Sequence, residues 1–191
     1  MIKGWENFYE VTGTAAAGLI GVMFVVTTLT AGLEHSRMSR GARVYLTPIV
    51  FHFSIIVILS AIALAPDLHP MGESAILGGC AVVGVVYSIV TTVRLFTLGE
   101  EFLADWEDRS FYGLAPTVAY GVLGFGAACV ARSDPMAPHE IGGAVLVLLL
   151  ISIRNAWDLA TFLVMRPRGP PQSAAEPLER EPVGDAGEKL S

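Results

Sequence analysis

Between Val11 and Leu33 the chain carries no charged side chain at all. A helix needs about 20 such residues to cross the roughly 30 Å hydrocarbon core of a bilayer. Lipid offers no hydrogen bonds, so the backbone of a spanning stretch has to pair with itself, which selects the α-helix. Four further stretches share this character, at 44–65, 75–93, 111–131 and 141–165. The expected fold is therefore all-α: a polytopic integral membrane protein whose five transmembrane helices occupy residues 1–166. The remainder, 167–191, is rich in Pro, Glu, Gly and Ala and has no apolar periodicity, so it is expected to be a disordered tail.

Composition points the same way. Hydrophobic residues make up 53% of the chain and charged ones 16%, against about 25% charged in soluble domains. A net charge of −6 with no basic stripe argues against nucleic acid as a partner. The leader MIKGWENFYE holds one lysine against two glutamates, and the apolar run after it is too long for a signal peptide. Trp5, Phe8 and Tyr9 are instead placed as an interfacial aromatic belt would be.

The basic residues near span ends set the orientation. Arg37, Arg40, Arg43, Arg94, Arg109, Arg166 and Arg168 fall on one side of a five-span topology, and only Lys3 and Arg132 on the other. The N-terminus is therefore expected outside and the C-terminus in the cytosol. Small size and an excess of arginine over lysine suggest a bacterial inner (plasma) membrane.

Small residues recur at four-residue spacing on several spans, as in Gly13–Ala17–Gly21, Cys80–Gly84–Ser88 and Gly113–Thr117–Gly121. Such rows let helix backbones approach closely in lipid, within the monomer or in a homo-oligomer. Cys80 and Cys129 both lie in apolar stretches and read as packed thiols, with a disulfide as the weaker alternative. Pro48 falls in the first turns of the second span, where a missing N–H costs little. Pro116 lies inside the fourth span and should bend it, with Ser110 as its N-cap. Residues 97–110 are strongly acidic. Phe102, Leu103 and Trp106 there suggest a short amphipathic helix at the headgroups, and the acids do not form a calcium loop.

One polar set stands out. The last span carries Arg154, Asn155 and Asp158 in its second half, and charges within a span are costly unless compensated. Arg154 and Asp158 are one turn apart and are expected to neutralise each other. At about 1.5 Å per residue, Arg154 lies about 16 Å and Asp158 about 10 Å from the cytosolic end of span five, with His52 about 12 Å and Arg94 about 6 Å up their own spans. Arg154, Asp158, Asn155, His52 and Arg94 thus form a candidate intramembrane polar cluster in the cytosolic half.

Two function classes follow. One is a non-catalytic membrane module, such as a subunit, assembly factor or sensor, whose polar residues hold helices together. The other is an oligomeric channel or transport protein in which the cluster lines a cytosolic vestibule for an ion or a proton. Neither H-E-x-x-H nor G-x-S-x-G occurs, so an enzyme is not expected, and neither is a cofactor or a metal. The expected partners are the lipid bilayer and further copies of the chain.

Overall fold

The computed structural model describes residues 4–31, 38–102 and 110–165, with side chains over 4–29, 45–96 and 110–162. Apart from short connections these residues are helical, with no strand among them. They form α1 (Glu6–Ala31), α2 (Met38–Ala63), α3 (Pro70–Phe102), α4 (Ala115–Ala131) and α5 (Ala137–Met165); α4 is entered through a π-helical turn, Ser110–Leu114. Among the described residues, five helices are long and apolar enough to cross a membrane. The expected tail, 167–191, lies outside the described residues.

The helix boundaries follow local chemistry. His69 Nδ1 accepts from the Met71 N–H at 3.3 Å at the start of α3, whose first residue is Pro70, a position that needs no N–H. Asp134 Oδ1 takes the Met136 N–H at 2.9 Å just before α5, and Pro138 stands in the first turn of that helix, where a missing N–H costs little. The tight exits from α2 and α4 bring Asp67 and Ser133 to positive φ.

Three boundary expectations are corrected. Helix α2 begins at Met38, which puts Pro48 ten residues into the helix rather than in its first turns. Helix α3 continues to Phe102, so the first part of the acidic connection extends that helix; residues 103–109, with Leu103 and Trp106, lie outside the described residues. The fourth span opens with a π-helical turn instead of a Ser110-capped α-turn, and Pro116 stands in the first turn of the α-helix behind it, with no side-chain cap.

In cross-section the helices form a ring, each touching the next and α5 returning to α1, with a further contact across the ring between α2 and α5. That contact divides the interior into a triangle (α1, α2, α5) and a four-sided part (α2 to α5). Phe53, Ile56, Tyr120, Leu123 and Leu148 are fully buried in this core.

Close approaches set the register. A Cβ on Gly13 would lie 2.7 Å from that of Ser60, one on Gly84 would enter the Tyr120 ring, one on Gly113 would strike Thr92, and one on Gly126 would lie 2.9 Å from Ile141. These pairs define two ends. Trp5, Tyr9, Glu73, Ala127 and His139 belong to one; Tyr45, Thr92, Tyr112 and Asn155 to the other. From Phe111 to Ala131 is about 30 Å at 1.5 Å per residue, one hydrocarbon thickness. The small-residue row on α1 divides. Gly13 meets Ser60, whereas Gly18 and Gly21 have open space before them and, with Ala17, are exposed on the outside of the ring.

Candidate functional site

The polar residues of the last span meet a break in the fourth. A π-helical turn bonds each carbonyl to the N–H five residues on, and the residue five on from Phe111 is Pro116, which has none. Asn155 fills that place: its Nδ2 donates to the Phe111 carbonyl at 3.0 Å. Tyr112 Oη donates back to the Asn155 carbonyl at 3.1 Å. The Thr117 hydroxyl, one turn on, donates to the Gly113 carbonyl at 2.8 Å. Tyr45 of α2 closes the layer, its ring edge-on to Tyr112 at 5.1 Å. Asn155 is 1% exposed and Tyr112 2%, so this exchange is dry and ties α2, α4 and α5 at one end.

Arg154 belongs to the same layer. Its guanidinium lies over the Phe111 ring, 3.9 Å from the centroid, and Nη1 donates to Asn155 Oδ1 at 3.4 Å. The contact places Arg154 beside the first turn leading into α4. Arg154 remains about 16 Å from the end of its own helix, but α5 runs on past the start of α4 to Met165, so the two helices do not end level. Mutual neutralisation of Arg154 and Asp158 is corrected. Among the described residues no ion pair joins them: Arg154 turns toward α4, whereas Asp158 and the neighbouring Trp157 are exposed. Arg94 is exposed on α3, two residues beyond the Thr92–Gly113 contact, and it ends up on the surface at this end of the bundle. Thr27 and Thr28 bond their own helix, to Met23 and Val25 carbonyls at 2.9 Å.

His52 stands apart from Arg154 and Asn155. It is 1% exposed, one to two turns deeper in the four-sided interior. Its Nδ1 shares a hydrogen bond of 2.8 Å with Tyr120 Oη, the imidazole tautomer deciding which atom donates. Tyr87 is edge-on to it at 6.2 Å and stacks on Phe51 at 3.9 Å. His52 Nε2 and Ser88 Oγ are buried with no hydrogen-bond partner, as are Tyr9 Oη and Glu73 Oε1 at the opposite end.

The five candidates are therefore not one cluster. Asn155 and Arg154 form a tie with Phe111 and Tyr112, His52 pairs with Tyr120, and Asp158 and Arg94 are on the surface. Sequence reasoning missed Tyr112, Tyr120 and the Phe111 carbonyl. A signal existed, since a tyrosine inside an apolar stretch has a hydroxyl that must find a partner and a proline there orphans a carbonyl. Cys80 and Cys129 are both free. Among the described residues no group of three His, Cys, Asp or Glu side chains could hold a metal ion.

No family model matches the chain, and no curated protein or solved structure matches it.

Proposed function

We propose that this chain is an integral membrane protein of the bacterial inner membrane, N-terminus outside and C-terminus cytosolic, that works as a non-catalytic module, as a subunit, assembly factor or sensor. The observation that carries this reading is the mutual tie between Asn155 and the Phe111–Tyr112 turn. It uses the buried polar groups of α5 to hold helices together. In this frame Trp5 and Phe8 mark the outer interface, and Tyr45 and Trp157 mark the inner one, as aromatic anchors do. Arg154 and Arg94 then sit at the cytosolic headgroups, where a long basic side chain costs little. The exposed Ala17, Gly18 and Gly21 face of α1 is the surface through which copies would associate.

A second reading draws on His52. A buried imidazole with Nε2 unpartnered suits an oligomeric channel or transporter for an ion or a proton. Reconstitution into tight vesicles separates the two. The module reading expects no flux of protons or common ions from folded protein. Flux that falls on His52→Ala replaces it with the second.

A further inference from the structure

Two helices that are not neighbours in the ring each carry a buried, unpartnered oxygen at the same end. The buried face of α3 runs through Glu73, Leu77, Ala81, Gly84 and Ser88, and that of α1 through Tyr9, Thr12, Ala16 and Met23. Glu73 and Tyr9 are thus the outermost residues of those faces, each about 4.5 Å along its helix at 1.5 Å per residue. Glu73 is 6% exposed and Tyr9 fully buried. Neither Glu73 Oε1 nor Tyr9 Oη has a hydrogen-bond partner among the described residues. Ser74 anchors the first turn of α3 by donating to the Ala127 carbonyl at 2.8 Å, and the Glu73 charge acts on the Tyr9 phenol. One turn below Tyr9, the Thr12 hydroxyl donates to the Phe8 carbonyl at 2.9 Å. The 3.4 Å bond between Thr12 Oγ1 and Ser60 Oγ is therefore given by Ser60, whose own lone pairs stay free. All four donor atoms are oxygens, and one of them is anionic.

We propose that this mouth of the ring binds one small alkali cation between Glu73 and Tyr9, with the Thr12 and Ser60 hydroxyls as further oxygen ligands. A buried carboxylate without a counter-charge is costly, and among the described residues no lysine or arginine pairs with Glu73. Oxygen donors suit hard cations. With no group of three His, Cys, Asp or Glu side chains among the described residues, one negative charge matches one positive charge. Glu6, Glu10, Asp67, Asp134 and Glu140 lie at the same end, where Arg132 is the only described lysine or arginine, so cations are concentrated there. The site deepens the sensor form of the module reading, and it rests on that reading for the face it opens to.

The test uses full-length protein purified in detergent without alkali salts. Its thermal midpoint is read against sodium chloride, with choline chloride holding the ionic strength constant. A ligand that binds only the folded state raises the midpoint with its concentration, so sodium should raise it and choline should not. Equilibrium dialysis with radioactive sodium should show a single saturable ion per chain. Glu73→Gln keeps the side chain's size and should weaken sodium binding by about tenfold or more. Tyr9→Phe, which removes only the hydroxyl, should weaken it by about threefold. Should Glu73→Gln not fold, Tyr9→Phe and the dialysis decide alone. A response matched by choline, or kept in full by both variants, would overturn the site. No response in the wild type, with one appearing in Lys3→Gln, would overturn it in favour of an internal ion pair. A midpoint that moves with pH and never with sodium would overturn it in favour of a proton. Alkaline carbonate tests the premise separately: release of the protein overturns the membrane reading and leaves a sodium response standing, whereas inserted protein without that response overturns the site alone.

Discussion

Asn155 donates from Nδ2 to the Phe111 carbonyl at 3.0 Å, in the place of the N–H that Pro116 lacks. A side chain from α5 thus completes the backbone of the turn into α4. A buried carbonyl left without a partner costs about 1–3 kcal/mol, while measured polar contacts between membrane helices average about 0.6 and reach about 1.7 kcal/mol. The lower range applies, because the unfolded chain in lipid finds other partners.

Asn155→Leu should therefore destabilise the protein by about 0.6–1.7 kcal/mol. Pro116→Ala restores an N–H within reach of the Phe111 or Tyr112 carbonyl, so it should soften that loss. A double-mutant cycle read by denaturation in detergent should give a coupling of at least about 0.5 kcal/mol. Strict additivity would mean that Asn155 is not replacing the proline's missing donor.

Arg154 and Asp158 should behave independently. Asp158→Ala alone should change stability by less than about 0.5 kcal/mol, as surface substitutions do, and the Arg154–Asp158 cycle should give a coupling near zero. The Arg154–Phe111 cycle should give about 0.5–1 kcal/mol or more, from the cation over the ring. A large Arg154–Asp158 coupling would restore the pairing that their one-turn spacing suggests.

The glycines should separate into two kinds. At Gly84 a methyl group would enter the Tyr120 ring, and at Gly113 it would strike Thr92, so either glycine to alanine should cost about 1–3 kcal/mol of overpacking. At Gly18 and Gly21 nothing stands in the way, and alanine should be neutral or mildly stabilising in the helix. Leucine at Gly18 or Gly21 should leave the monomer folded yet disrupt any oligomer built on α1. Size-exclusion with light scattering reads that difference directly.

Topology has its own check. Single cysteines introduced at positions 3 and 70 should react with an impermeant thiol reagent from outside the cell, and those at 38 and 175 only after permeabilisation. The inverse pattern would turn the bundle over and move the Arg154 layer to the outer face.

Helix type and approximate span positions were legible in the sequence because both depend on local quantities. An uncharged stretch of about 20 residues has one stable form in lipid, and Asp134, Pro135 and Pro138 mark the start of α5 chemically. The identity of the polar residues was legible for the same reason, since Arg154, Asn155 and His52 are anomalous against their apolar neighbours. Their partners were not. Spacing along α5 suggested Arg154 with Asp158. The choice was made by α4, whose proline leaves the Phe111 carbonyl and whose Phe111 ring attracts the guanidinium. Depth was equally a tertiary matter: counting from the end of a span assumes that all helices end level, and α5 continues past the first turn of α4. Only packing could decide that Gly84 admits a tyrosine from α4 while Gly21 faces outward, because both are the same residue in similar apolar rows. Contact between distant helices depends on the rotation of each about its axis. That rotation is set by the whole ring of neighbours at once.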